Sequence, residues 1–241
     1  MPSAGEPLAN LVASAAARTV AAGTARVFAA WNSGSPMQEA PEQRWEGVAD
    51  LAGRRAHVSW ALFFTDGATA AISEPGEPAE TEMVFDGANS YMGLGDAWTT
   101  FFPTDRDGPR GPNDPLWPLD ALFGANDEAV LVAAEAVRGV ATTHYRLTVD
   151  LARADAALPA GVTVPPGPYR ALRQLPAEVW LDAAGLARRI AVDPEPTAAR
   201  GRHLWTVTEL WDFGVTADIA VPGPDEIISR AEALRRAEQE G

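Results

Sequence analysis

The chain has 241 residues, of which 46% are hydrophobic, and this is enough for one large domain with its own buried core. Its formal net charge of -14 disfavours nucleic acid and anionic membrane surfaces as partners, because both are bound through basic faces. It contains neither cysteine nor lysine, which excludes disulfides, thiolate metal sites, cysteine nucleophiles and lysine-dependent chemistry.

The first part of the chain predicts a helix followed by three strands. Between residues 7 and 22 the apolar residues recur largely at three- and four-residue spacings, which is typical of an amphipathic helix, and Gly23 would end it. Strands are predicted at 25–31, 45–51 and 54–64. The dipeptide Ala52-Gly53 supplies the turn between the second and the third.

The third predicted strand has one apolar face. Its alternate residues are Val58, Trp60, Leu62 and Phe64. Because side chains alternate between the two faces of a strand, these four point the same way. We expect that face to be directed towards the interior.

The middle of the chain contains a hairpin, a long loop and a short apolar segment. Asp86-Gly87 is a hairpin turn signal between strands predicted at 82–85 and 90–92. Residues 102–118 are rich in proline, glycine and aspartate and predict a loop or lid. The segment 115–123 is apolar on several sides, which favours a short helix or turn that is buried as a plug inside a curved sheet.

Three further strand-like phrases make up the second half. In the first, 139–151, alternation places Tyr145, Leu147 and Val149 on one face and predicts a solvated face opposite. A hairpin is predicted around 183–185, after a proline-rich excursion.

The last strand is predicted at 204–222, and it ends at two prolines. From residue 225 to residue 240 apolar positions are mixed with many charges, which predicts an exposed amphipathic helix.

These phrases resemble actinobacterial LppX/LprG-type proteins. The resemblance lies at Gly139–Tyr145 (GVATTHY), at Leu175–Asp182 (LPAEVWLD) with 185–189, and at Trp211–Gly214 (WDFG) with Pro222. It extends over roughly the whole chain in the order of the segments and in their residue pattern, and it is clearest over about the last hundred residues.

The resemblance implies an α+β fold like that of the lipoprotein carrier LolA, a strongly curved antiparallel β half-barrel with helices packed on its concave face. It also implies an apolar cavity, in which members of the family bind lipids or lipoglycans. We therefore expect residues 1–224 to form a single domain of this kind with an N-terminal helix at 7–22. Residues 225–241 would form an exposed C-terminal helix and tail.

The chain departs from the family at its N-terminus. Members typically carry a signal peptide and a lipid-modified cysteine, and the sequence as written shows neither. We expect a cytoplasmic location for the chain as written, and an extracytoplasmic one if the true start lies upstream. No apolar run is long enough to predict a transmembrane segment.

The expected site is lined by apolar and aromatic side chains. The predicted lining residues, with the last three as a plug or gate, are Val58, Trp60, Leu62, Phe64, Tyr145, Leu147, Val149, Leu119, Leu122 and Phe123. For any single aromatic the competing interpretation is an ordinary core position. The other aromatic candidates for the lining are Phe85, Tyr91, Trp98, Phe101, Trp180, Trp205 and Trp211.

Catalytic and metal sites have little support in the sequence. The histidines His57, His144 and His203 lie far apart, and a zinc or acid–base role would need two of them to converge with a carboxylate such as Asp150 or Glu209. No HExxH or GxSxG motif is present. We predict no enzymatic activity, no cofactor and no metal ion.

The sequence thus predicts a non-catalytic protein that binds or carries a lipid or another hydrophobic small molecule. The alternative is a sensor or protein-interaction module that regulates a partner of unknown identity, as RseB-type regulators do with a similar fold. An enzyme on the same scaffold is the weakest interpretation, and it would need a histidine and a carboxylate close together at the cavity mouth.

Overall fold

The structure is a computed structural model, and it describes residues 8–33, 43–62, 79–87, 89–102, 114–126, 129–159, 173–192, 204–229, 231–233 and 235–236. The helices are α1 (Leu8–Ala21), α2 (Trp117–Ala121), a 3₁₀ helix (Leu122–Gly124) and α3 (Leu151–Ala157). The strands are β1 (Thr24–Ser33), β2 (Gln43–Asp50), β3 (Arg55–Leu62), β4 (Ala79–Asp86), β5 (Ser90–Leu94), β6 (Ala97–Phe102), β7 (Val130–Val137), β8 (Val140–Asp150), β9 (Gln174–Asp182), β10 (Ala187–Val192), β11 (Leu204–Trp211) and β12 (Ile227–Ile228).

All these strands belong to one curled, open sheet. Its order is β12-β6-β5-β4-β3-β2-β1-β11-β10-β9-β8-β7. Neighbours pair antiparallel, except that β12 runs parallel to β6. Because β1 pairs with both β2 and β11, the two halves of the chain join in the middle of the sheet. A twisted sheet of this width has to coil, and the coil creates a concave face.

The concave face forms the main hydrophobic core together with the helices. Strand alternation explains which side chains reach it. In β8 the residues Tyr145, Leu147 and Val149 are buried in this core, whereas Arg146 between them is exposed. The predicted interior face of this strand is therefore confirmed.

Helix α1 lies on this face through small residues. Val12, Ala15 and Ala16 are completely buried. The buried hydroxyl of Thr19 donates to the carbonyl of Ala15 at 2.7 Å and accepts from the backbone N–H of Ala187 in β10 at 2.9 Å. The helix is thus attached to the sheet by a satisfied buried polar group as well as by apolar contact.

The strand register defines two ends of the sheet. At one end, which we call the turn end, β2 joins β3 through 51–54 and β9 joins β10 through 183–186. At the opposite end, the loop end, β1, β3 and β10 finish, and the chain continues through 34–42, 63–78 and 193–203, which lie outside the described residues.

The convex face carries two smaller apolar clusters. One consists of Val137, Trp180, Ala191 and Val207. In the other, Ile219 packs on Val84 and Tyr91. Ile219 belongs to the segment that follows β11, so the chain returns across the convex face before it forms β12.

Most of the predicted elements are present. The N-terminal helix, the first three strands, the hairpins around Asp86 and around 183–185, and the short buried helix within 115–123 are confirmed. Of the predicted loop at 102–118, the described part is Phe102, which ends β6, and 114–118, which leads into α2.

Near the C-terminus one prediction is wrong and another is right only for its later part. The last long strand ends at Trp211 instead of Pro222, because Asp212 adopts a left-handed φ of 49° that breaks the extended backbone. The segment predicted as a helix from residue 225 starts differently, since Ile227–Ile228 pairs with β6, and helical backbone is found at 231–233 and 235–236.

The prediction of a solvated second face on β8 is also wrong for part of that strand. Thr142 and His144 are each only 5% exposed. Their cover is supplied by neighbouring strands, because Glu135 of β7 and Trp180 of β9 contact His144 directly.

Candidate ligand-binding interior

The structure gathers most of the predicted lining residues into the main core. The buried ones are Val58, Tyr145, Leu147, Val149, Leu119 and Leu122. Trp60 and Phe123 are partly buried and pack against the same core. Residues that are far apart in sequence therefore meet on the concave face.

For two predicted lining residues, the structure does not describe the side chain. Leu62 is the last residue of β3 and pairs with Gln43 of β2, but the structure describes only its backbone. Phe64 lies outside the described residues. Contact of any of the ten residues with a ligand stays a prediction.

The plug, which we define as α2 with the 3₁₀ helix (117–124), is inserted into the concave face. All five residues of α2 are buried, and Pro118 at its first turn supplies a backbone already suited to a helix start. The segment before it is fixed by two hydrogen bonds. Asp114 accepts from the N–H of Leu116 at 2.8 Å, and Thr208 of β11 donates to the carbonyl of Pro115 at 2.8 Å.

The end of the plug lies very close to α3 and β8. A Cβ on Gly124 would stand 2.1 Å from the carbonyl oxygen of Asp150 and 3.0 Å from Cβ of Ala154. The next residues continue the contact, since Asn126 N–H donates to the carbonyl of Thr148 at 3.0 Å. Only glycine fits at position 124, and this allows the plug to pack directly on the backbone.

A group of polar atoms on the concave face was missed by the sequence analysis. Trp31 of β1 pairs with Gln43 of β2, and Trp45 lies two residues further along β2 and opposite Trp60 of β3. Residues two apart in a strand, and residues directly opposite each other, share a face. These side chains therefore form one surface near the loop end.

Three of these polar groups lack a hydrogen bond within the described part of the chain. They are the indole N–H of Trp31, the side-chain oxygen of Gln43 and the indole N–H of Trp45. Each of these atoms is shielded from solvent, and Trp45 as a whole is only 2% exposed. Buried polar groups are nearly always paired in native proteins, so a set on the concave side without partners among the described residues is informative.

The turn between β2 and β3 is the sequence signal that would have located Trp45. With the turn centred on Ala52-Gly53, the hairpin register places residue 45 opposite residue 60, as observed. Trp60 was assigned to the interior from its strand alternation. Its partner across the hairpin had to face the same way.

Comparison with known proteins bears on the fold. No family model matches the sequence, and no curated protein matches it. Among solved structures, LprF from Mycobacterium bovis covers 90% of this chain and 98% of its own with a TM-score of 0.54 at 16% identity. The lipoprotein LppX from Mycobacterium tuberculosis covers 88% of this chain and 99% of its own with a TM-score of 0.50 at 12% identity. This chain has the LppX fold.

The predicted architecture is therefore confirmed. The LppX-like fold of this chain is an α+β half-barrel whose concave face holds the helices and the plug. A LolA-superfamily protein from Nitrosomonas europaea is similar at a lower level, with a TM-score of 0.33 at 8% identity over 90% of this chain and 94% of its own.

The convex side of the LppX-like sheet carries a polar network around His144. Its Nδ1 lies 3.1 Å from Glu135 Oε1, its Nε2 lies 3.2 Å from Glu178 Oε2, and its ring stacks on Trp180 at 4.0 Å between centroids. The indole N–H of Trp180 donates to Glu135 at 3.0 Å. This hydrogen bond, with help from His144 and against the effect of partial burial, lowers the pKa of Glu135.

This arrangement favours a structural role for His144. Both ring nitrogens already have carboxylate partners, and the ring is covered by Trp180. Among the residues that the structure describes, no group of three or more histidines or carboxylates is placed to hold a metal ion.

The two histidines that the structure describes do not converge. His57 lies on β3 and is 3.4 Å from Glu82, whereas His144 lies on β8, six strands away in the sheet order. His203 lies outside the described residues. The two carboxylates considered as partners have other functions, since Asp150 caps α3 and Glu209 binds Arg138 and Arg189.

Several aromatic candidates for the lining belong to the convex face instead. Trp180 and Tyr91 lie in the two convex clusters, and Trp98 packs against the second of them. Trp211 stacks under the guanidinium of Arg138 at 3.7 Å from the ring centroid. These positions were wrongly included because aromatic composition alone does not distinguish the two faces of a strand.

Among the described helices, none is both long and apolar enough to cross a membrane.

Proposed function

We propose that this protein binds a hydrophobic ligand with one or more acyl chains between the concave face of its sheet and the plug, and that it holds or carries this ligand without catalysing a reaction. One observation carries the proposal. The apolar residues selected by alternation in β3 and β8 lie on the same face as Leu119 and Leu122 of the plug, within an LppX-like half-barrel.

The energetics of burial support binding without a chemical motif. Transfer of one methylene group from water to an apolar interior contributes about 0.8 kcal/mol. A chain of about sixteen carbons therefore offers roughly 12 kcal/mol before ordering and association costs are subtracted. Apolar lining residues can supply useful affinity by themselves.

The distribution of polar groups supports a non-catalytic role. In the described part of the chain, His57 and His144 are bonded to carboxylates on the convex side of the sheet. The buried carboxylates next to the interior, Asp114 and Asp120, fix the plug through Leu116 and Arg54. Each of these groups already performs a structural function.

Native mass spectrometry of the full chain tests the proposal. We expect the folded protein to retain a stoichiometric hydrophobic ligand, and denaturing extraction should release a lipid of matching mass. A protein that carries no such mass, and that takes up no lipid from vesicles or cyclodextrin complexes, would contradict the proposal.

The protein-interaction alternative is favoured by the outer edge of the sheet. β7 is a terminal strand, and its residues Val130, Leu131 and Val132 are 58%, 59% and 43% exposed. An extended segment of a partner protein can pair with such an edge through backbone hydrogen bonds. A Val130→Lys variant separates the two functions, because Val130 lies opposite Arg146 on the convex side and the substitution should leave the bound lipid unchanged if the interior alone holds the ligand.

A further inference from the structure

The unpaired polar atoms near the loop end form a compact set, which we call the loop-end polar cluster (Trp31, Gln43 and Trp45). Trp31 and Gln43 are a cross-strand pair, with Cα atoms about 4.5–5.5 Å apart in such pairs. Gln43 and Trp45 follow each other on the same face of β2. The cluster therefore presents two N–H donors and one oxygen acceptor on one surface.

The burial of these polar groups without a hydrogen-bond partner among the described residues is energetically unfavourable. A buried donor or acceptor without a partner loses its hydrogen bonds to water and gains nothing in return. Phenylalanine in place of Trp45, which is 2% exposed, would fill most of the same volume without that cost. An external hydrogen-bonding partner would remove the penalty.

The charge of that partner follows from the neighbouring residues. On β1, β2 and β3 the described arginines Arg26, Arg44 and Arg55 occupy the alternate positions, and they pair on the convex side with Asp212, Glu80 and Asp50. These arginines are thus directed away from the cluster, and its donors among the described residues are the two indole N–H groups, which are neutral. In a protein with a net charge of -14, neutral donors suit a carbonyl oxygen better than a phosphate.

We propose that the loop-end polar cluster binds the oxygen-bearing part of a neutral acyl ester, with Trp31 and Trp45 donating to ester carbonyl oxygens and Gln43 accepting from a free hydroxyl. This inference rests on the proposed function and specifies its ligand class. Partially acylated glycerols have this set of groups.

The position of the cluster agrees with this ligand. Trp45 lies opposite Trp60 of β3. Val58 lies on the same face of β3, two residues nearer the turn end. An ester group at the cluster would therefore place its acyl chain along β3, away from the loop end and towards the plug.

The test compares two lipids of the same chain length. 1,2-Dioleoylglycerol has two ester carbonyls, and its diether analogue 1,2-di-O-oleylglycerol has methylene groups in their place. Dissociation constants for the full chain, freed of bound lipid, are measured by equilibrium exchange from cyclodextrin complexes. We expect about tenfold tighter binding of the ester, because an unsatisfied buried donor is costly when the carbonyl is missing.

Variants assign this preference to the cluster. Trp45→Phe keeps an aromatic ring and removes the N–H, so it should weaken ester binding about tenfold and leave diether binding unchanged. Trp211→Phe, on the convex face, should change neither. If circular dichroism shows that Trp45→Phe is unfolded, Trp31→Phe provides the same comparison.

The outcomes separate this inference from the proposed function. Equal binding of the two lipids by the natural chain, or a folded Trp45→Phe that keeps the preference, would overturn the inference and leave hydrophobic binding intact. Failure of the folded protein to bind either lipid would overturn both.

Discussion

The guanidinium of Arg54, in the turn between β2 and β3, binds both carboxylate oxygens of Asp120 in α2. Nη2 donates to Oδ1 at 3.2 Å and Nε donates to Oδ2 at 3.4 Å. The side chains are only 14% and 4% exposed. This ion pair fixes the plug at the turn end of the sheet, opposite the end at which β1, β3 and β10 finish.

We expect Asp120→Asn to destabilise the protein strongly. The substitution leaves the charge of Arg54 buried and uncompensated, and loss of one partner of a buried ion pair costs about 3–5 kcal/mol. Urea denaturation followed by circular dichroism measures the free energy of unfolding. The matched control is Asp212→Asn, whose ion pair with Arg26 is more than half exposed and should contribute less than about 1 kcal/mol. Equal effects of the two substitutions would contradict the assignment.

We expect Gly124→Ala to displace the plug. The added methyl group would collide with the carbonyl oxygen of Asp150, which belongs to the backbone and cannot rotate away. Overpacking of this kind costs about 1–3 kcal/mol or more. Gly93→Ala is the control, because a Cβ there would meet its nearest neighbour at 3.5 Å, an ordinary contact. If thermal denaturation shows the same small change for both variants, the plug does not pack on α3 as described.

We expect Leu147→Phe to reduce ligand uptake. Leu147 is 3% exposed on the concave face, so the larger ring would occupy space next to the predicted acyl chain. Val130→Phe introduces the same side chain on the adjacent strand, at a position that is 58% exposed and lies opposite Arg146 on the convex side, and it should leave uptake unchanged. The amount of lipid per protein after incubation with lipid–cyclodextrin complexes is the measurement. A folded Leu147→Phe variant with full uptake would exclude this position from the lining.

Alternation was sufficient to identify the interior face where a strand alternates cleanly. In β8, Tyr145, Leu147 and Val149 were assigned correctly because polar residues separate them. β7 has the sequence VLVAAEAV, in which Glu135 is the one polar residue, so alternation does not distinguish its two faces. The sequence analysis missed this strand, whose exposure depends on its position at the edge of the sheet. Edge position is a property of the whole sheet and is not encoded in the local sequence.

The site was predictable only in its apolar part. Trp60 was assigned from its own strand, but the unpaired groups of Trp31, Gln43 and Trp45 depend on the joint register of β1, β2 and β3. The helix α3 was missed for a related reason. Asp150 reads as the last strand residue, yet its side chain accepts from the N–H of Arg153 and starts a helix in a segment that we predicted in part as an excursion.

Tryptophan substitutions on the two faces should have opposite effects on the ligand-free protein. Trp180→Phe removes a donor to Glu135 and should cost about 1–3 kcal/mol, since it also leaves the network around His144 incomplete. Trp45→Phe removes a donor that has no partner among the described residues, so the free energy of unfolding should stay the same or rise. Urea denaturation after lipid extraction tests both. A clear loss of stability in Trp45→Phe would mean that its indole N–H is already hydrogen-bonded without ligand.

The lowered pKa of Glu135 predicts a loss of stability in acid. The hydrogen bond from Trp180 is its main cause, and the hydrogen bond from His144 and the charges of His144 and Arg189 add to it, although partial burial acts in the opposite direction. On the other side of His144 lies Glu178, which also binds Arg146. Because the folded pKa lies below the unfolded value of about 4.5, the unfolded chain binds this proton more readily.

The stabilisation from Glu135 is therefore fully present above pH 4.5 and is lost as the pH falls through the folded pKa. We expect the free energy of unfolding of the natural chain to decline over this acidic range, measured by urea denaturation at a series of pH values. Glu135→Gln cannot take up the proton, so its decline should be shallower, and Trp180→Phe should change the slope in the same direction by removing the donor that lowers the pKa. If the Glu135→Gln curve ran parallel to that of the natural chain at every pH, the network on the convex face would not be a source of its acid sensitivity.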